Sequence, residues 1–191
     1  MRLFAERGVT QVTLSELAEA AGVARGTLYN HGIEVGSLFE TIATGLTEEM
    51  TWRIDATLAE VDDPAERLAI GIRLFVRRAS EEPIWGRFVT RFGASHPTLR
   101  TLLGSGPARD LERAMRANRV HLRKDQVIPS LALMSGSVMA AIWLVLEGLQ
   151  TWRDAGSSTA ELYLRAVGVP ADEARAISRR TLPELVALDG E

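Results

Sequence analysis

Arg25, Thr27, Tyr29 and Asn30 crowd into one short stretch, and His31 follows directly. A guanidinium, two hydroxyls, a carboxamide and an imidazole are groups that bond to phosphate oxygens and base edges, so this set points to nucleic-acid recognition. The segment before them must supply the support. Leu14, Leu17, Ala18 and Ala21 recur at i, i+3, i+4 and i+7, which predicts an amphipathic helix opened by Thr13 or Ser15 as its cap. Gly22 ends that helix by taking the left-handed conformation, Val23 plugs the corner, and a second helix starts near Ala24. Leu28 is placed to pack back on Leu17 and Ala21, leaving the recognition groups outside. Such a pair is a helix-turn-helix, in which the first helix braces the second and the second enters the major groove end-on.

The wording of this region is specific. FAERG at Phe4 to Gly8, VTLSELAEAAGVARGTLYNH from Val12 to His31, and then Leu38-Phe39 resemble the DNA-binding domain of the tetracycline-repressor (TetR) family of bacterial transcription regulators. AVGVPADEARAI near the C-terminus adds a weaker likeness. The resemblance implies an all-α fold: an N-terminal three-helix helix-turn-helix domain, here residues 1–45, and a larger C-terminal helical ligand-binding and dimerisation domain, residues 46–191. It further implies a cytoplasmic homodimer that binds a double-stranded DNA operator as a repressor and is released by a small hydrophobic or aromatic effector. With the exposed side of the second helix, it places the DNA contacts at Thr13, Arg25, Gly26, Thr27, Tyr29, Asn30 and His31.

Two features depart from the pattern. Where the family usually has an aromatic residue after the histidine and a Ser-Lys-Glu cap, this chain has Gly32, Ile33, Glu34, Val35, Gly36 and Ser37, so the lysine contact to phosphate is missing. The first helix, from Arg2, is short, as expected if its start is truncated or the head is thinly braced. Charge adds little: up to Ile33, Arg2, Arg7 and Arg25 are balanced by Glu6, Glu16 and Glu19. Phosphate neutralisation carries most non-specific affinity, so a neutral head depends on doubling its contacts in a dimer.

The remainder reads as a helical body. Its 191 residues, 46% hydrophobic, suffice for one substantial core or a small domain attached to a larger one, and the absence of cysteine removes disulfides and thiolate metal sites. Leu38, Ile42, Leu46, Met50 and Ile54 predict a long connecting helix from about Ser37 to Glu60, the lever between the two domains. Asp62-Asp63-Pro64 opens a helix buried through Leu68, Ile72, Phe75 and Ala79 and stopped by Pro83. Trp85, Phe88, Val89 and Phe92 mark the next, followed by a loop with His96 and Pro97. A helical turn is expected at Thr98 to Leu103, broken by Gly104 to Pro107, and then a helix from Pro107 to about Asn118. Arg109, Arg113, Arg116, Arg119, Arg123 and Lys124, interleaved with Asp110 and Glu112, read as a solvated face.

Gln126 to Leu146 contains no charge, a length that raises a membrane span. Pro129, Ser130, Ser135, Gly136 and Ser137 favour instead a helix buried on two sides, one in its own domain and one against a second subunit, with no membrane partner. Gly156 is expected to close this region, Ser158 to cap a helix running to Val167, and Pro170 to open the last one, with Thr181 on its face and Pro183 at its end before Leu185, Val186 and Leu188. Trp85, Phe88, Phe92, Met115, Met134 and Trp143 are expected to converge on an apolar effector cavity, with Arg91 or His96 as its polar groups.

No catalytic set, cofactor motif or metal-binding spacing accompanies these features, and His31, His96 and His121 stand apart from one another. A helical dimer with a degenerate head, or a small membrane-associated protein, remains as the alternative. DNA binding separates the first from a working regulator, and detergent-free solubility the second.

Overall fold

The computed structural model describes residues 1–102 and 105–187, and these form helices without a strand. In chain order they are α1 (Arg2–Arg7), α2 (Leu14–Ala20), α3 (Arg25–Asn30), α4 (Val35–Thr57), α5 (Pro64–Glu81), α6 (Pro83–Phe92), α7 (Pro97–Leu102), α8 (Ser105–Arg116), α9 (Val127–Leu146), α10 (Trp152–Ala166) and α11 (Ala171–Ser178).

Most of the helices after residue 60 are arranged around α5. Asp63 accepts a hydrogen bond from the Ala65 amide at 3.0 Å and Pro64 takes the first turn, so the helix starts where its cap dictates. Buried side chains occur all round it, including Leu68, Ile72, Leu74, Val76 and Ala79, as expected of a helix enclosed by neighbours. Those neighbours are α6, α8, α9, α10 and α11. By contrast α4 makes its closest backbone approach to α7, so it lies beside this bundle rather than inside it.

Three expected boundaries differ. First, α8 starts at Ser105, so Ser105, Gly106 and Pro107 of the expected break are helical, with Pro107 in the first turn, where a missing amide proton costs nothing; Gly104 of that break, and Leu103 before it, lie outside the described residues. Second, α10 is capped by Thr151, whose hydroxyl accepts from the Asp154 amide at 3.1 Å, and Gly156 lies within the helix. A Cβ there would already touch Arg73 of α5, 3.4 Å from its Cα, so this glycine sits at a close helix contact instead of ending a helix. Ser158 is therefore mid-helix, while Gly168, at φ +97°, stops the chain as expected. Third, α11 ends at Ser178; Thr181 and Pro183 lie beyond it, and Leu188 falls outside the described residues.

α9 is enclosed on one face only. Met134, Val138, Ala141 and Ile142 point into the bundle, whereas Leu133 and Trp143 are exposed on the opposite side, as is Ile128 at its start. The segment Lys124–Leu146 is long and apolar enough to cross a membrane by length and composition.

Candidate DNA-binding head and effector cavity

The head is built from local rules. Thr13 caps α2: its hydroxyl accepts from the Glu16 amide at 3.3 Å while the Glu16 carboxylate accepts from the Thr13 amide at 2.8 Å. The bond from the Thr13 amide foremost, and then one from the Thr13 hydroxyl at 2.9 Å, hold the Glu16 carboxyl below its ordinary range, and Arg7 pairs with it from α1. Gly22 turns the chain at φ +67° and α3 follows. Arg25, Gly26, Thr27, Tyr29, Asn30 and His31 are all exposed, Tyr29 by 76%, so the sequence-predicted set stands together in solvent with Thr13 at the start of the preceding helix.

The bracing is thinner than expected. No residue of α3 is buried, Leu28 is only partly covered, and Ala21 is exposed. With nothing from α3 to lie over it, Val23 is 40% exposed and does not plug the corner. The head is held instead by the body. The Phe39 ring of α4 lies 5.4 Å from Phe4, 5.5 Å from Phe88, 4.9 Å from Phe92 and 4.9 Å from His96. Arg91 donates to the carbonyls of Ala5 and Glu6 at 3.2 and 3.1 Å, satisfying groups that the end of α1 leaves free, and His96 Nε2 lies 3.0 Å from Glu40.

The aromatic cluster is thus the joint between head and body. Trp85 and Phe88 are fully enclosed, and Trp85 packs on Phe75 with the Arg78 guanidinium over its ring at 4.6 Å. Phe92 belongs to the joint, Met115 is partly buried on α8, and Trp143 is 53% exposed. Met134 and Trp143 are nine positions apart on α9, about two and a half turns, which sets them on opposite faces. The expected convergence of these residues does not occur, and Arg91 and His96 are engaged at the joint.

A cavity opens elsewhere, between α4, α5, α8 and α9, with a volume of about 50 Å³. Of the expected cavity residues it includes only Met134; Met50, Ile54, Leu68, Phe75 and Val138 complete most of its apolar wall. Gly71 contributes space, since a side chain on it would meet nothing within 4 Å. The charged part of the wall is Asp55, Arg67 and Asp110; of these the sequence placed only Asp110, on a solvated face, and its burial comes from packing between helices that spacing does not reveal. Arg67 Nε donates to Asp110 at 2.7 Å, and Arg109 donates to both oxygens of Asp55 at 3.0 and 2.8 Å, tying α8 to α4.

A second polar tie fixes α4. Arg78, 5% exposed, pairs with Glu49 at 2.9 Å and Glu82 at 3.1 Å, and Arg53 reaches Glu49 at 3.0 Å. Burial alone would push the Glu49 carboxyl up, but the bonds from Arg78 and Arg53 outweigh it and hold the group below its ordinary value. Most of the basic run is engaged in ion pairs: Arg113 with Asp110, Arg116 with Glu112, Arg119 with Asp63 and Glu173, and Arg123 with Asp125. Arg113, Arg116 and Arg123 stay largely exposed, so the face is a solvated one.

Comparison with known proteins agrees with this layout. The family model described as tetracyclin repressor-like, C-terminal domain matches residues 63–180, and the model for bacterial regulatory proteins of the tetR family matches residues 1–31. An uncharacterized HTH-type transcriptional regulator of Mycobacterium tuberculosis is 30% identical over 89 residues, covering 47% of this chain and 44% of that protein. The chain therefore spans less than half the length of the curated relatives it matches. The crystal structure of RolR in complex with resorcinol is 36% identical with a TM-score of 0.75, over 96% of this chain and 91% of that one. A putative tetR-family regulator from Shewanella sp. PV-4, at 20% identity and TM-score 0.70 over 88% and 93%, shares the fold. With matches to both the head and the body, the chain belongs to the TetR family of bacterial transcriptional regulators.

Proposed function

We propose that this chain is a ligand-responsive repressor that binds a double-stranded operator as a homodimer and leaves it when a small aromatic molecule enters the cavity between α4, α5, α8 and α9. The observation that carries the reading is the double use of α4. Its first half holds Phe39 in the joint to the head, and its second half supplies Met50, Ile54 and Asp55 to the cavity wall. The exposed groups Arg25, Thr27, Tyr29, Asn30 and His31, with Gly26 and Thr13, are the operator contacts in this reading. A dimer is supported by the uncharged outer face of α9, where Leu133 and Trp143 are left in water by a single chain, and by exposed Leu162 on α10.

Size supports a moving wall. A cavity of about 150 Å³ accommodates benzene, against about 50 Å³ here, so an arene must push a wall outward to enter. Helices surround α5 on most sides, and α4 is the wall with the fewest close backbone neighbours. RolR, solved with resorcinol, makes a neutral hydroxylated arene the first ligand to try. Every charged group on the wall is already paired, which disfavours an acid that would need a free cation.

The thin bracing of α3 and the neutral charge of the head favour a second reading, a helical dimer whose head binds DNA weakly. A band shift with the DNA flanking the coding sequence, titrated with resorcinol, decides between them. Retarded DNA released by resorcinol supports the repressor, retarded DNA indifferent to any phenol refutes the effector half, and no retardation with any flanking fragment leaves the weak head. Sedimentation without detergent disposes of membrane residence for α9.

A further inference from the structure

The segment after Arg180 lies beyond the part of the chain that the C-terminal family model matches, and residues 181–187 continue no helix. It is nevertheless tied down at its backbone. The Val186 carbonyl accepts from Arg53 Nε at 2.7 Å, and the Val186 amide donates to Thr57 Oγ1 at 3.0 Å, so one residue has both main-chain groups bound by α4. The Thr57 hydroxyl in turn donates to the Arg53 carbonyl at 2.7 Å. Upstream, Arg180 pairs with Glu66 of α5. Between these anchors Leu182 and Leu185 close over Leu58, Ile70 and Leu74, a small apolar cluster distinct from the main core.

Leu58 and Ile54 have two roles. They pack beside this segment, and they also belong to the cavity wall. We infer that residues 181–187 are a strap that sets where the cavity end of α4 lies, making Arg53, Thr57 and Leu185 positioning residues for the effector site although none of them lines it. The claim about the effector rests on the function proposed above; the hold on α4 does not.

The strap decides how a displaced wall is transmitted. α4 rises about 1.5 Å per residue, so Met50 lies about 10 Å from Thr57 and Val35 about 33 Å. With the Thr57 end held, a rigid α4 pivoting there enlarges a shift at Met50 by up to about threefold at Val35, against the hold of the Phe39 joint and the Glu49–Arg78 pair. With that end loose, the helix gives way at the cavity and the head receives less.

The test uses the full chain and compares Thr57→Val, Thr57→Ser and a chain ending at Arg180, each by amide hydrogen exchange and by calorimetric titration with phenol. Thr57→Val removes both hydroxyl bonds and is expected to speed exchange of residues 50–58 about fivefold, the usual reach of one lost hydrogen bond, while α5, α9 and α10 exchange as before. Thr57→Ser restores the original rates, and the shortened chain, which also uncovers Leu58, exceeds both. Phenol affinity is expected to fall about fivefold in Thr57→Val and to recover in Thr57→Ser. Unchanged exchange at residues 50–58 overturns the strap, as does a uniform rise across α5, α9 and α10, which would make the segment a general stabiliser. If the original chain takes up no phenol while the local exchange pattern holds, the strap stands and the effector assignment falls.

Discussion

Replacing Phe39 by alanine should release the head from the body without unfolding the body. Truncating a buried phenylalanine costs about 3–5 kcal/mol, and Phe39 is 2% exposed with Phe4, Phe88, Phe92 and His96 all within ring contact. Aromatic pairs add about 0.5–1.5 kcal/mol each beyond burial, partly overlapping with that figure, so the lower end, about 3 kcal/mol, is a safe expectation. The head has little to offset the loss, because its own buried side chains are Phe4, Ala5, Val12, Leu17 and Ala18. About 3 kcal/mol corresponds to roughly a hundredfold change in an equilibrium constant. Hydrogen exchange followed peptide by peptide should therefore show α1 to α3 opening about a hundred times more often, with α5 and α10 unaltered. Phe39→Leu, which keeps most of the volume, should cost less than about 1.5 kcal/mol and serves as the control. Equal acceleration in α5 and α10, or none in α1 to α3, would refute the assignment of this ring as the joint.

Other substitutions test the body. A side chain at Gly86 would lie 2.9 Å from Ala79 Cβ and 3.2 Å from Ala79 Cα, so Gly86→Ala should lower stability by about 1–3 kcal/mol in a denaturant titration. Gly71→Ala meets open space inside α5 and should raise stability by about 0.5–1 kcal/mol while narrowing the cavity, a contrast lost if both behave alike. The Glu49 carboxyl titrates lower in the folded chain than in the unfolded one, so its contribution is complete above about pH 4.5 and disappears as pH falls through the folded value; circular dichroism should show a shallower acid transition for Glu49→Gln. An identical transition would mean that Arg78 and Arg53 do not stabilise this charge. Trp143→Asp, on the bare face of α9, should yield monomers by sedimentation and retain the helical spectrum.

The head was legible because its signals are local. Thr13 with Glu16, and Gly22 in its turn, act within a few residues of where they stand, as do Asp63 and Pro64 at the start of α5. Spacing says that Trp85, Phe88 and Phe92 share one side of a helix, but not what covers them; the cover is Phe39 and Phe75, from two other helices, with Phe4 packed in turn on Phe39. The cavity is hidden for the same reason, since α4 and α5 enclose it only where α8 and α9, beyond α6 and α7 in the chain, fold against them. Gly156 shows the ambiguity of glycine, which breaks a helix when isolated and admits a neighbouring helix when packed on Arg73 and Val76. Residues 181–187 carry no periodicity at all, since partners more than a hundred positions upstream hold them in place.

The joint at Phe39 also bears on how such proteins diversify. A crossover inside α4 would join one parent's Phe4 and Phe39 to the other's Phe88, Arg91 and Phe92, so exchanged heads seat only where the receiving α6 offers a matching aromatic socket and a guanidinium for the carbonyls of Ala5 and Glu6. Wholesale shuffling is thereby expected to succeed only between parents whose sockets match. Point changes on the outer side of α3 are under no such restriction, because Arg25, Thr27, Tyr29 and Asn30 stand exposed on a helix with no buried residue. With these residues as the operator contacts proposed above, new sequence preferences are expected to arise there by single substitutions, with the joint inherited intact.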